Sequence, residues 1–160
     1  MRRFLLFSAL LCALILHAAV ARSQQLAVQD EAGKVTSLAR ADVEVLPHVK
    51  ITTSTGTNAV FEGVVLKDVL QKAGVVFGDT LRGKRMASCL LVEAADGYRV
   101  VIALPEIDPA FTDKKILLAF LKDGKPLDDK EGPYRIVIPE ETRMARWVRQ
   151  VTTLKIVNVQ

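Results

Sequence analysis

The stretch of this sequence richest in chemistry runs from Arg135 to Arg149 and also holds Arg143, Arg146 and Trp147. Guanidinium groups beside an indole at a strand end can hold a phosphate or carboxylate through forked hydrogen bonds and stacking. A plainer reading stands next to it, a solvated loop in which Trp147, Val148 and Val151 anchor the core. Asp96-Gly97-Tyr98 can present a carboxylate and a phenol to a ligand, or Asp96-Gly97 simply makes a turn while Tyr98 packs. Glu140 and Glu141 are adjacent, do not face each other, and read as solvated charges. His48 follows Pro47 in a loop with no cysteine or carboxylate beside it in sequence. Cys89 sits among Ala87, Leu90, Leu91 and Val92, where burial raises a thiol's pKa and disfavours a reactive thiolate. No glycine-rich phosphate loop, nucleophile elbow or metal-ligand cluster is present, so no catalytic or metal-ligating residue is assigned.

The elements that must carry these residues are short. Leu26–Val28 reads as a strand, Glu31–Lys34 as a turn and Val35–Arg40 as the returning strand. Asp42–Leu46 is a short helix stopped by Pro47. Val49–Thr53 and Ala59–Glu62 are strands around the polar loop Thr55–Asn58. Val65, Leu66, Val69 and Leu70 share one helical face, and Gly74 stands where a left-handed cap belongs. Ala87–Ala95 and Tyr98–Ile102 flank the Asp96-Gly97 turn as a hairpin. Leu104–Phe111 reads as a helix or loop broken by proline. Ile116–Leu121, Tyr134–Ile138 and Val151–Val159 are strands, and Asp123–Pro126 is a turn. Arg82–Arg85 forms a basic turn. The sum is an α+β domain of layered mixed or antiparallel sheets with few short helices.

The amino-terminal segment has its own pattern. Arg2 and Arg3 precede an apolar run from Phe4 to Leu16, and Ala19-Val20-Ala21 fits a small-x-small cleavage site. This is the layout of a secretory signal peptide over residues 1–21, followed by one domain over 24–160. Arg2-Arg3 invites a twin-arginine reading, but the strong apolar run beginning at Phe4 fits export of an unfolded chain. The mature protein is expected to be periplasmic or secreted, without stable membrane insertion. Cleavage lowers the formal charge from +4 to about +2, too weak a footprint for nucleic acid. It also leaves Cys89 as the sole cysteine, which excludes an intramolecular disulfide.

Several segments occur in a recognisable order. Phe61-Glu62-Gly63-Val64-Val65-Leu66-Lys67-Asp68-Val69-Leu70 leads to Ala73-Gly74. Ala95-Asp96-Gly97-Tyr98, Leu117-Leu118-Ala119-Phe120 and Asp123-Gly124-Lys125-Pro126-Leu127 follow. Gly132-Pro133-Tyr134-Arg135-Ile136-Val137-Ile138-Pro139 comes next, and Arg146-Trp147-Val148 last. The series, over roughly residues 49–157, resembles the oxidoreductase molybdopterin-binding domain of sulfite-oxidase-type enzymes.

The resemblance implies a sulfite-oxidase-type α+β fold that, in full-size enzymes, holds a molybdenum–pterin cofactor. There a cysteine upstream of the aromatic-x-Gly-Val helix entry binds the metal. Residues 50–58 of this chain contain no cysteine, and the ligand role is not carried to Cys89. The family's cofactor-contacting stretch corresponds here to the short Glu140–Ala145, with Arg146 keeping a cation at the matching place. The expectation is a binding module for a small anion, a pterin or a periplasmic protein partner, anchored by Arg135, Arg143 and Arg146. No molybdenum cofactor is expected; molybdopterin is possible by the resemblance. The alternatives are a molybdopterin-dependent oxidoreductase and an accessory subunit of a redox complex.

Overall fold

The computed structural model describes residues 25–56 and 58–159. The segment read as a signal peptide, residues 1–21, lies outside them. Alternating burial along each short apolar run makes strands, which assemble into two sheets. The first contains β1 (Leu26–Gln29), β2 (Val35–Leu38), β5 (Ser88–Ala94), β6 (Arg99–Ala103) and β10 (Val151–Asn158), in the order β2-β1-β10-β5-β6. The second contains β3 (His48–Thr53), β4 (Ala59–Val65), β7 (Leu117–Lys122), β8 (Lys125–Pro126) and β9 (Arg135–Val137). Its order is β3-β4-β7, with β8 and β9 both pairing with β7. The pairing of β1 with β10 is parallel and every other pairing among these strands is antiparallel.

Inward residues of both sheets, including Leu90, Ile102 and Leu154 from the first and Phe61, Val64 and Leu118 from the second, join one hydrophobic cluster. Two short helices complete it: α1 (Arg40–Glu44) and α2 (Leu66–Lys72), which buries Leu66, Val69 and Leu70. α2 begins one residue later than the apolar spacing suggests, because Val65 is still extended and forms the cap. It ends as expected: Gly74 takes φ +97°, its N–H donates to Gln71 O, and Val75 N–H donates to Leu70 O. That pair of bonds satisfies two of the helix's last carbonyls. α1 starts two residues before the expected Asp42, because the Asp42 carboxylate accepts the N–H of Ala39 and so sits inside the first turn.

Two local devices shape the second sheet. β7 carries one extra residue, Phe120, opposite β4 at Glu62 and Gly63. At this bulge the strands approach so closely that a Cβ on Gly63 would overlap Leu118 O and stand 2.5 Å from Ala119 Cα. In the first sheet, Asp96-Gly97 makes the expected hairpin turn: Gly97 takes φ +85°, and Asp96 Oδ1 accepts the N–H of Tyr98 at 2.9 Å.

Candidate functional site

Arg135 enters the fold on β9, where its register partner across the sheet is Ala119. The segment that follows returns alongside it. Ile136 N–H donates to Val148 O and Val151 N–H donates to Tyr134 O, which brings Trp147 beside Arg135. Trp147 Nε1–H donates to Ile138 O at 2.9 Å, fixing the indole. Its edge meets Phe61 of β4, with centroids 6.0 Å apart. On the other side, Asp128 Oδ1 accepts the backbone N–H groups of Lys130 and Glu131, which sets the turn that aims the Glu131 carboxylate inward.

These elements hold the Arg135 guanidinium over the faces of Phe61 and Trp147, at 5.2 and 5.7 Å from the ring centroids. Nη1 donates to Glu131, Nη2 points at the Met144 sulfur at 3.9 Å, and Nε is buried without a partner. Burial draws the Arg135 pKa below its ordinary value, against the opposing pull of Glu131. Lys122 lies 5.7 Å from the Phe61 centroid and 3.4 Å from the Glu131 carboxylate. One carboxylate therefore serves two cations. Arg149, exposed and in none of the ion pairs seen among the described residues, adds a third cation to the same cleft of about 360 Å³. The cleft carries surplus positive charge, which favours an anion. Phe61 and Trp147 are buried and their facing slot is filled by the guanidinium, so a planar ring has no free aromatic face to stack on there.

A second hollow, about 240 Å³, shares Met144, Trp147 and Arg149 with the first and extends to Asp96 and Tyr98. Tyr98 does not pack inward. It is half exposed and its hydroxyl donates to Ala145 O at 2.7 Å.

The three arginines expected to act together are placed differently. Arg135 is the floor of the cleft. Arg146 is clamped between Glu141 and Glu106, with Nε 2.6 Å from Glu141 and Nη2 3.2 Å from Glu106, and it also reaches Val101 O. Its hydrogen bonds to Glu106 lead the interactions that raise its pKa. Arg143 is exposed and forms none of the ion pairs seen among the described residues. Neither Arg143 nor Arg146 lines the cleft. Of the two adjacent glutamates, Glu141 is not a free solvated charge, because Arg146 holds it. Arg149 belonged to the arginine-rich stretch, but nothing in the sequence separated it from its neighbours; Lys122 and Glu131 carried no signal at all.

The segments 50–58 and 140–145 touch. Thr55 Oγ1 donates to Glu141 O at 3.0 Å, and Met144 packs against Gly56, where a Cβ would stand 2.5 Å from the Met144 methyl. Cys89 is elsewhere, on β5 between Val157 and Ala103, half-buried, with burial pushing its thiol pKa up. His48 is engaged structurally: Nδ1 meets Glu62 at 3.1 Å, Nε2 meets Glu44 O at 2.9 Å, and its ring sits edge-on to Phe120. Hydrogen bonding to His48 leads the interactions that hold Glu62 below the usual carboxylate range. Among the described residues, no three or more His, Cys, Asp or Glu side chains converge as a metal site.

Residues 18–159 match the family model described as the oxidoreductase molybdopterin binding domain. Among solved structures, the sulfane dehydrogenase SoxCD from Paracoccus pantotrophus is similar, with a TM-score of 0.65 and 21% identity. That match covers 86% of this chain and 39% of the other, so this chain spans well under half of its length. No curated protein matches. The layered α+β fold expected from the resemblance is the fold observed.

Proposed function

Because the chain belongs to the oxidoreductase molybdopterin binding domain family, we propose that it is an exported binding module of that fold, taking a small anion at the cleft floored by Arg135. The observation that carries this reading is the charge of the cleft: Lys122, Arg135 and Arg149 line it with one carboxylate, Glu131, which pairs with Lys122 and Arg135 only. In this reading Arg149 and Lys122 contact the anion. Arg135 supplies the fixed positive floor, and Arg143, next to Met144 in sequence, adds a further positive charge. Arg146 acts at one remove, holding the 140–146 segment through Glu106 and Glu141.

The residues present do not fit a molybdenum centre held by the protein. Such a centre needs a soft anionic ligand, which a thiolate supplies and a hydroxyl or thioether does not. The sulfur at the cleft is the Met144 thioether, residues 50–58 contain no cysteine where the family's ligand belongs, and Cys89 lies outside. No step is therefore routed through the metal.

Isothermal titration of the mature domain with sulfate, phosphate and a soluble pterin tests the reading. An inorganic anion is expected to bind, about tenfold more weakly after Arg149→Ala, the loss of one charge-assisted contact. Binding of the pterin alone, or of nothing, overturns it. Amino-terminal sequencing of protein recovered outside the cytoplasm tests export. The likeness in fold to a sulfane dehydrogenase favours a second reading, a domain that serves a redox partner protein. Co-purification from the native compartment, with metal analysis of the purified material, separates the two.

A further inference from the structure

The Arg135 guanidinium is buried, yet its donors on the Met144 side are poorly served. Nε has no partner, and Nη2 faces only a thioether sulfur at 3.9 Å, a weak acceptor. Met144 is 40% exposed and lines both hollows, so it stands between solvent and that guanidinium. Gly56 packs directly on the Met144 sulfur and methyl group, and the Met144 backbone carbonyl accepts Trp147 N–H at 3.0 Å, which fixes the main chain there.

We propose that Met144 is an oxidation site whose sulfoxide is captured by Arg135. A hydroperoxide is the oxidant. The sulfur lone pair attacks one peroxide oxygen, an S–O bond forms and the O–O bond breaks. The departing hydroxide, or alkoxide where the peroxide is organic, takes the proton of the new S–OH group and leaves as water or an alcohol, so the sulfur loses two electrons and the peroxide gains them. The new oxygen is a strong acceptor beside an under-satisfied buried donor. Sulfoxide formation thus gives Arg135 the partner it lacks and places a polar group on the wall shared by both hollows. The modification is reversible by sulfoxide reduction. Its effect on the cleft rests on the anion-binding reading above; the oxidation and its capture do not.

Met86 serves as the internal control, because it is 42% exposed and, among the described residues, the hydrogen bond from a guanidinium to a methionine sulfur is the one at Met144. The full chain is treated with limiting hydrogen peroxide, and oxidation at each methionine is read by peptide mass spectrometry. Emission of Trp147, the single tryptophan, is followed in parallel. Met144 is expected to gain oxygen at least as readily as Met86. The Trp147 emission should shift with Met144 oxidation and stay constant in Met144→Leu, where Met1 and Met86 remain oxidisable. Failure of Met144 to oxidise while Met86 does overturns the proposal. So does an emission response identical in the two proteins. Severalfold weaker phosphate binding after oxidation, absent in Met144→Leu, extends the proposal to the cleft. If neither form binds an anion, the functional reading fails while the emission test still decides this one.

Discussion

Glu131 and Arg135, four residues apart, form an ion pair whose cationic member is almost wholly inside the protein, at 7% side-chain exposure against 16% for Glu131. Removing the carboxylate leaves a buried guanidinium whose Nε already lacks a partner. Glu131→Gln is expected to destabilise the domain by roughly 2–3 kcal/mol, somewhat less than a fully buried pair because Glu131 keeps some contact with solvent. Denaturant unfolding measures this, and a change under about 0.5 kcal/mol, typical of a surface pair, contradicts it.

Gly63 has no room for a side chain. The bulge at Phe120 brings β7 backbone against its Cα, and backbone cannot swing aside as a flexible side chain can. Gly63→Ala is expected to cost about 3 kcal/mol or more, at the upper end of overpacking substitutions. Gly74→Ala is strained through its φ of +97° but meets no neighbour, so it should cost only about 1 kcal/mol. Thermal unfolding of the two variants should rank them in that order.

Acid should weaken the fold through Asp108. Burial alone would raise its pKa, but the backbone N–H groups of Gly78 and Ala110, and then Lys67, outweigh burial and hold it below the ordinary value. A carboxylate depressed in the folded state stabilises above its unfolded pKa, near 3.9, and that contribution is lost as pH falls through the lower folded value. Stability should therefore drop below about pH 4. Asp108→Asn should flatten that acid limb and lower stability at neutral pH by about 1.5–3 kcal/mol, the range for hydrogen bonds to a charged group. An unchanged acid limb in the variant contradicts this.

Tyr134 makes the opposite case. Its ring is fully buried and its hydroxyl has no hydrogen-bond partner, while burial raises the phenol pKa to about 12. An unpaired buried hydroxyl is a liability, so Tyr134→Phe should be neutral or stabilising by up to about 1 kcal/mol. Alkaline spectrophotometric titration should lose a component near 12 in the variant. A clear loss of stability would mean that the hydroxyl has a partner.

Local signals carried the strands and their turns. Asp96-Gly97, the Gly74 cap and the apolar face at Leu66, Val69 and Leu70 each act within a few residues, and each appears where its chemistry places it. Trp147 likewise proved to be a buried anchor. What escaped was assembled over distance. The parallel contact of β1 with β10 joins residues more than a hundred positions apart, and no local pattern encodes it. The cleft has the same origin: Phe61, Lys122, Glu131 and Arg149 come from separate segments, and only the sheet brings them to Arg135. Arg143 and Arg146 looked equivalent to Arg135 in sequence because composition cannot tell a guanidinium clamped by two glutamates from one that lines a cavity.

The placement of β10 sets an order of events as the chain folds. It follows the other described strands in sequence, yet it lies in the middle of the first sheet, between β1 and β5. Until it arrives, β1 with β2 and β5 with β6 are two separate hairpins, a form that is marginal on its own in water. The first sheet therefore closes only when β10 docks between the two hairpins, whereas the second sheet contains no part of β10.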